Sequence, residues 1–309
     1  MRASGTVKRI LANYEGETPG VKAKLCGMLM HGALRGTGKM IILPVDQGFE
    51  HGPARSFAPN PPAYDPHYHY RLAIDAGLSA YAAPLGPLEA GADTFAGQIP
   101  TILKANSANS LMSPTAGKNQ AVTASVDDAL RLGCSAIGFT IYPGSDAAID
   151  MMEEIAEMRR EAASKGVATV IWSYPRGEAI SKAGETAIDI TSYAAHMAAL
   201  LGAHVIKVKL GTDDLELPEA RKVYEEQAID ISTQAARVAD CVRSALNGRR
   251  LIVFSGGTAK GSDAVYDDAR AIRDGGGNGS IIGRNSFQRS QEDALEMLRK
   301  LVNIYKGKA

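Results

Sequence analysis

Short apolar runs recur along the chain, each of the length and character of a buried strand in a parallel sheet. The eight runs are 40–45, 80–83, 101–105, 135–142, 167–172, 204–210, 250–254 and 280–283. Between most of them lie helical stretches, at 66–77, 127–132, 146–165, 185–201, 218–246 and 263–274. Eight strands alternating with helices over about 245 residues predict an α/β fold, a closed (β/α)8 TIM barrel. The alternative architecture is a doubly wound open sheet.

Two segments depart from this alternation. Residues 1–38 are predicted to form an N-terminal helical extension, with a helix in 21–34 that ends before Gly36-Thr-Gly38. The link 83–101, between the second and third strands, holds turn residues and no clear helix. Because no linker or repeat interrupts the rest, residues 39–309 are predicted to form one barrel, the catalytic domain.

Composition excludes several classes of function. The chain has 309 residues, of which 45% are hydrophobic and 22% charged, and its 34 basic side chains equal its 34 acidic ones. This balance gives no electrostatic case for a nucleic acid or membrane partner, although a local basic cluster could still hold phosphates. Three scattered cysteines, no signal-peptide core and no apolar run near the ~20 residues of a membrane span predict a soluble cytoplasmic protein.

The sixth apolar run carries two lysines. Because side chains alternate across a strand, Val205, Lys207 and Lys209 share one face. A lysine held among apolar neighbours loses hydration of its charged form, so its pKa falls toward the range where the free amine attacks a carbonyl. This pattern favours a Schiff-base enzyme. The alternative is that both lysines lie near a strand end and extend to water.

The loops after the last two strands are rich in glycine. Ser255-Gly256-Gly257 follows the seventh strand, and Gly283-Arg284 follows the eighth. In TIM barrels these two loops frequently bind phosphate, because backbone N–H groups and a guanidinium can approach an anion there. The pattern therefore predicts a phosphate site, with plain turn geometry as the alternative.

Two further polar residues follow strands at the same rim. Asp46 ends the first strand, and Tyr174 follows the fifth. A phenol hydrogen-bonded beside a cationic iminium can relay a proton. The six histidines form no metal-ligand spacing, so neither a metal nor another cofactor is predicted. Together these groups suit carbon–carbon bond cleavage or formation on a phosphorylated keto sugar.

The sequence resembles the archaeal-type class I (Schiff-base) fructose-bisphosphate aldolases over roughly residues 39–305. The matching segments, in family order, are Val45-Asp-Gln-Gly-Phe-Glu-His-Gly-Pro53, Ile102-Leu-Lys-Ala-Asn106, Gly138-Phe-Thr-Ile-Tyr-Pro-Gly-Ser145, Ile171-Trp-Ser-Tyr-Pro-Arg-Gly177, Gly202-Ala-His-Val-Ile-Lys-Val-Lys209, Ser255-Gly-Gly257 and Gly283-Arg-Asn285. The resemblance implies a barrel without metal, usually a homo-oligomer and often a decamer. The implied reaction is reversible cleavage of fructose 1,6-bisphosphate to dihydroxyacetone phosphate and glyceraldehyde 3-phosphate.

The same resemblance implies a role for individual residues. Lys207 would be the Schiff-base nucleophile, Tyr174 the proton-transfer group and Asp46 the carboxylate that orients the lysine, with Lys209 dispensable. The residues implied to contact or support the substrate are Trp172, Ser255, Gly256, Gly257, Gly283, Arg284, Lys104, Arg176 and His51.

Two departures from the family accompany the match. The segment 211–240 is longer than expected, and Gln47 stands where many relatives have histidine. Relatives on this barrel offer a second class of function, a transaldolase-like synthase of aromatic precursors or an acyl transferase. A barrel retained only as a scaffold would lack the lysine or the tyrosine, and both are present.

Overall fold

The computed structural model of the chain describes residues 2–112, 117–256 and 261–308. The strands of these residues are β1 (Met40–Pro44), β2 (Ala80–Ala83), β3 (Thr101–Lys104), β4 (Asn106–Ser107), β5 (Ala121–Val122), β6 (Ala136–Ile141), β7 (Ala168–Ser173), β8 (Val205–Lys209), β9 (Leu251–Ser255) and β10 (Gly279–Ile281). Eight of them close into a parallel barrel in the order β1-β10-β9-β8-β7-β6-β3-β2, while β4 and β5 form a small antiparallel pair. The predicted (β/α)8 TIM barrel is confirmed, and each of the eight apolar runs is one of its strands.

The helices of the described residues surround this barrel and cover one of its ends. They are α1 (Gly5–Ala12), α2 (Pro19–Leu29), α3 (Gln47–His51), α4 (Pro53–Phe57), α5 (Pro66–Asp75), α6 (Leu85–Glu89), α7 (Val126–Arg131), α8 (Ala148–Ser164), α9 (Ile188–Leu200), α10 (Pro218–Glu226), α11 (Gln234–Ser244), α12 (Ser262–Asp274), α13 (Arg284–Phe287) and α14 (Gln291–Tyr305), with 3-10 turns at Pro61–Tyr64 and Gly184–Thr186.

The helix predicted over 218–246 is two helices, and this prediction was wrong. The chain turns at Ala228, whose φ of 49° is left-handed, and α11 then begins with Thr233 as its N-cap. The Thr233 side chain accepts a hydrogen bond from the Ala236 amide at 3.1 Å, which satisfies one of the free N–H groups of the new helix. The weakest link, 83–101, does contain one short helix, α6.

Helices α1 and α2 lie across the N-terminal end of the barrel. Their buried side chains, among them Val21, Leu25 and Met28, pack in one cluster with the inward-facing strand residues. The Tyr14 hydroxyl, in the turn between the helices, donates to the His204 carbonyl at 2.6 Å and accepts from the Leu251 amide at 3.0 Å. The end nearest the N-termini of the strands is therefore closed. The division of the chain into an extension and a catalytic domain stays a prediction.

Alternation along β8 places its side chains as the sequence predicts. Ile206 and Val208 pack outward into the cluster formed with the surrounding helices, and Val205 packs inward. Lys207 shares the inward face and pairs in register with Trp172 of β7 and Val253 of β9. The lysine amine is consequently carried to the centre of the barrel, toward its C-terminal end.

Candidate active site

A cavity of about 550 Å³ opens at the C-terminal rim of the barrel. It gathers residues from the loops after strands that are far apart in the chain, as the rim of a TIM barrel does. The predicted site residues that line it are Asp46, His51, Tyr174, Arg176, Lys207, Ser255, Gly256, Gly283 and Arg284. Trp172 and Lys104 are not among its walls, and Gly257 lies outside the described residues.

Lys207 occupies the floor of this cavity. The residue is 4% exposed, and its Nζ lies 4.1 Å from the centroid of the Tyr174 ring. No described residue accepts a hydrogen bond from Nζ or forms an ion pair with it. Burial lowers the pKa of Lys207 to about 7, against the opposing charges of Asp46 and Glu50. A large fraction of this amine is therefore neutral near pH 7.

Lys209, two residues further along the same strand, has a different environment. Its Nζ donates a hydrogen bond to Glu185 at 3.1 Å, and the same carboxylate accepts from Lys182 at 3.0 Å. Burial opposes ionisation of Glu185, but Lys182 and Lys209 hold the pKa of Glu185 below its usual value. Burial also lowers the pKa of Lys209, and Glu185 opposes this shift. Of the two strand lysines, Lys207 alone presents an unpaired amine to the cavity.

Trp172 lies below the cavity, beside Lys207. The indole is 1% exposed and fits against β6 because residue 138 is glycine: a Cβ there would lie 2.2 Å from the ring. Lys104 is equally buried, with its Nζ 5.9 Å from the indole centroid and donating to the Asn106 carbonyl and to Asn106 Oδ1. Burial lowers the pKa of Lys104 to about 8. Lys104 therefore acts on the site through its charge, since it does not reach the cavity wall.

Asp46 and Tyr174 line the same cavity as the Lys207 amine. Asp46 precedes α3 as its N-cap, but its side chain makes no capping hydrogen bond, so the carboxylate remains available to the cavity. Tyr174 directly follows β7, where its amide donates to the Ile141 carbonyl at 3.0 Å. Its ring centroid is 4.1 Å from Lys207 Nζ and 5.1 Å from the Cζ of the Arg176 guanidinium. A phenol this close to the amine is well placed for proton transfer.

The glycine loops after β9 and β10 form one side of the cavity. Ser255 ends β9 and is followed by Gly256, while Gly283 immediately precedes α13, which begins at Arg284. A Cβ on Gly283 would lie 2.7 Å from the Pro44 carbonyl oxygen. Glycine is required there because any side chain would displace the end of β1.

Arg55, in α4, is a cavity residue that the sequence reasoning missed. It lies in the Pro-rich loop after β1, where no pattern separated it from surface arginines. The pKa of Arg284 is lowered by burial and by the nearby charges of Arg55 and Arg176. Burial lowers the pKa of His51, and Glu50, 4.0 Å away, opposes this shift. Three arginines, Arg55, Arg176 and Arg284, thus line a cavity that also contains the carboxylates Asp46, Glu50 and Glu185.

A second cavity, of about 350 Å³, adjoins the first. It shares Glu50, His51, Arg55 and Arg176 with the larger cavity and adds Lys118. The two cavities form a continuous cleft with basic groups at both ends. Such a cleft is complementary to a small molecule that carries two separated anionic groups.

No group of three or more histidine, cysteine, aspartate or glutamate side chains in the described part of the chain is arranged to hold a metal ion. Within the same residues, no helix combines the length and apolar character needed to cross a membrane.

Known proteins that are similar to this chain in sequence and fold include aldolases. A family model described as DeoC/LacD family aldolase matches residues 40–289. A probable fructose-bisphosphate aldolase class 1 from Chlamydia muridarum is 35% identical over 297 residues, covering 90% of this chain and 82% of the relative. The fructose-bisphosphate aldolase class 1 of Thermoproteus tenax is 36% identical over 275 residues, covering 88% of this chain and 91% of the relative.

A solved structure agrees with these relatives. It is an archaeal fructose-1,6-bisphosphate aldolase with the catalytic lysine covalently bound to the carbinolamine intermediate of the substrate. It matches with a TM-score of 0.73 and 34% identity, over 87% of this chain and 94% of its own. The chain therefore belongs to the DeoC/LacD family of aldolases.

Proposed function

We propose that the protein is a class I fructose-bisphosphate aldolase, which cleaves fructose 1,6-bisphosphate reversibly through a lysine Schiff base without a metal. The observation that carries this proposal is the buried, unpaired amine of Lys207 at the floor of a cleft with basic groups at both ends. The relatives with this reaction in their names share the barrel and about a third of the sequence.

The reaction begins with the neutral amine of Lys207, whose lone pair attacks the C2 ketone of the sugar. The carbinolamine formed loses its hydroxyl as water when the Tyr174 phenol donates a proton to it. This leaves an iminium cation and a phenolate. Asp46 orients the amine and stabilises the cation by its negative charge, an interaction already present in the free enzyme.

The iminium cation and the Tyr174 phenolate then carry out the cleavage. The Tyr174 phenolate accepts the proton of the C4 hydroxyl, the C3–C4 bond breaks, and its electron pair moves to the iminium nitrogen to give an enamine. Glyceraldehyde 3-phosphate leaves first. Protonation of the enamine at C3 and hydrolysis of the resulting iminium then release dihydroxyacetone phosphate and regenerate the Lys207 amine.

The two phosphate groups are assigned to separate parts of the cleft. We assign the phosphate that leaves with dihydroxyacetone phosphate to Ser255, Gly256, Gly283 and Arg284. Gly257 is added to this group from the family motif. The other phosphate is assigned to Arg55 and Arg176 where the two cavities meet, with His51 beside them. Guanidinium groups suit this role because they bind phosphate through two parallel hydrogen bonds. Trp172 and Lys104 support the site from below.

Borohydride reduction in the presence of dihydroxyacetone phosphate tests the proposal. The expected result is a covalent adduct mapped by peptide mass spectrometry to Lys207, present in Lys209→Met and absent in Lys207→Met. EDTA is expected to leave activity unchanged, and free glyceraldehyde 3-phosphate should be released from the bisphosphate, which separates cleavage from a transferase reaction. An adduct on Lys209 or Lys104, or loss of activity in EDTA, would contradict the proposal.

A homo-oligomeric assembly, with the decamer as the expected form, and a cytoplasmic location are predictions that accompany this function. Size-exclusion chromatography with light scattering would test the assembly.

A further inference from the structure

The end of β6 brings a buried tyrosine to the wall of the second cavity. Tyr142 directly follows this strand and is 3% exposed. Ile141 pairs in register with Ser173 of β7, so Tyr142 and Tyr174 occupy the next position on two adjacent strands. Tyr142 lines the second cavity but not the larger one, whose floor is Lys207. Tyr142 is therefore not a candidate for the proton transfers at the Lys207 amine.

Two tyrosine rings contact the Arg176 guanidinium. Its Cζ is 5.7 Å from the ring centroid of Tyr142 and 5.1 Å from that of Tyr174. Both distances are within the about 6 Å over which an aromatic face attracts a cation. Burial, with the negative charge of Glu50, raises the pKa of Tyr142 to about 12, so this phenol stays neutral at physiological pH.

The carboxylate beside Arg176 does not fix the guanidinium by itself. Glu185 supplies the nearest carboxylate of the described residues, 3.9 Å from Arg176 Nε, which is too far for a hydrogen bond. That carboxylate already accepts hydrogen bonds from Lys182 and Lys209. Because a long side chain that becomes ordered only on binding costs affinity, a contact that orders it in advance favours the complex. The ring of Tyr142 provides such a contact.

Close packing of two loops fixes the main chain that carries Arg176. The Arg176 amide donates to the Tyr174 carbonyl at 2.7 Å, and the next residue, Gly177, has a φ of 142°. A Cβ on Gly177 would lie 2.0 Å from the carbonyl carbon and oxygen of Gly144, two residues after Tyr142. The loops after β6 and β7 therefore touch through their backbones, which holds the Tyr142 ring and Arg176 at a fixed separation.

We propose that Tyr142 is a positioning residue, whose ring holds the Arg176 guanidinium where the two cavities meet, ready to bind the second phosphate of a bisphosphate sugar. A guanidinium held in place can form two parallel hydrogen bonds to phosphate without first being ordered. Tyr142 thereby sets the preference for a bisphosphate over a monophosphate sugar. This inference rests on the proposed function, in which Arg176 binds that phosphate.

Steady-state kinetics with fructose 1,6-bisphosphate and fructose 1-phosphate test the inference. Tyr142→Leu removes the ring and should raise KM for the bisphosphate about 2- to 30-fold, the range that one cation–π contact supplies, with kcat little changed. KM for the monophosphate should not rise with it, because that sugar lacks the second phosphate. Tyr142→Phe keeps the ring and should retain the wild-type preference.

A double-mutant cycle shows whether Tyr142 acts through Arg176. Arg176→Met should raise KM for the bisphosphate, and adding Tyr142→Leu to it should have no further effect. Tyr266→Leu is the matched control, since Tyr266 of α12 is 6% exposed and its ring lies 4.4 Å from Lys300 Nζ of α14, outside the cleft. It should change neither KM. Equal effects of Tyr142→Leu on the two sugars, or an effect that persists in Arg176→Met, would overturn the inference.

Calorimetric titration with inorganic phosphate separates this inference from the proposed function, because it needs no turnover. Tyr142→Leu should weaken the phosphate site that Arg176→Met removes, and Tyr142→Phe should not. If the wild type cleaves neither sugar but shows this pattern, the proposed function fails and the role of Tyr142 stands. If it cleaves both and the pattern is absent, only the role of Tyr142 is refuted. Tyr142→Met replaces Tyr142→Leu if urea unfolding shows that the latter does not fold.

Discussion

Replacing the proposed catalytic lysine should make the protein more stable. Lys207 is buried at the floor of the cleft without an ion-pair partner among the described residues, and burial lowers its pKa from 10.5 to about 7. Near pH 7 the unfolded chain therefore carries a proton that is absent from about half of the folded molecules. Lys207→Met removes the ionisable group while keeping an unbranched side chain of similar length.

The magnitude follows from the two pKa values. At pH 7 the shift from 10.5 to about 7 corresponds to a loss of stability of about 4 kcal/mol. Between pH 7 and 10.5 unfolding takes up a proton at Lys207, so this group makes the free energy of unfolding rise with pH. At pH 9.5 about 1 kcal/mol of the loss remains. The stabilisation gained by Lys207→Met should therefore shrink as pH increases.

Urea unfolding of the wild type and of Lys207→Met at pH 7 and pH 9.5 measures this difference. Lys165→Met is the control, because Lys165 lies at the surface with its ammonium paired to Asp127 and Glu161, and its loss should not stabilise the protein. A variant that is less stable than the wild type, or a gain that does not change with pH, would refute the reasoning. Either result would mean that Lys207 is solvated or paired in the folded protein.

Three further substitutions test single groups of the site. Lys104→Met removes a charge that lowers the pKa of Lys207, so the acid limb of the kcat/KM profile should move to higher pH; an unchanged profile would contradict this coupling. Tyr174→Phe should reduce kcat by about 10²- to 10⁴-fold and should also slow borohydride labelling of Lys207, since the phenol donates the proton that converts the carbinolamine to the iminium. Arg55→Ala should raise KM for fructose 1,6-bisphosphate about 10- to 100-fold but change cleavage of fructose 1-phosphate little, because only the former has a second phosphate. Equal effects of Arg55→Ala on the two substrates would show that Arg55 does not bind the second phosphate.

The barrel could be predicted because strands buried on both faces appear as unbroken apolar runs. The break in the predicted helix 218–246 could not, because no glycine or proline marks it. There the chain reverses at Ala228, and Thr233 begins a new helix. The Tyr224 hydroxyl, on α10, donates to the buried Asp240 of α11 at 2.6 Å, a tertiary contact that stabilises the bend. Local periodicity carries no information about such a contact.

The candidate active site shows the same limit of prediction from sequence. Strand alternation places both Lys207 and Lys209 inside the barrel, and only the family resemblance chose between them. Their different environments come from Glu185, which reaches Lys209 from the loop after β7. Arg55 lies in another loop and joins the site only when the chain folds. Asn106 holds the Lys104 ammonium below the cavity, so the predicted role of Lys104 that remains is to support the site. Residue types at strand ends thus identified the rim, while side-chain partners required the structure.

Two buried lysines in one barrel raise the question of what offsets their energetic penalty. A loss of about 4 kcal/mol at Lys207 alone is a large part of the 5–15 kcal/mol by which folded proteins are typically stable. The helices at the opposite end supply apolar burial, since Leu25, Met28 and Leu29 are each about 1% exposed or less, and full burial of one such side chain contributes about 1.5–3 kcal/mol. Tyr14 adds hydrogen bonds there to the His204 carbonyl and the Leu251 amide. The stabilising contacts are thus concentrated at the closed end of the barrel. They offset the energetic penalty of keeping the Lys207 amine buried and largely neutral at the open rim.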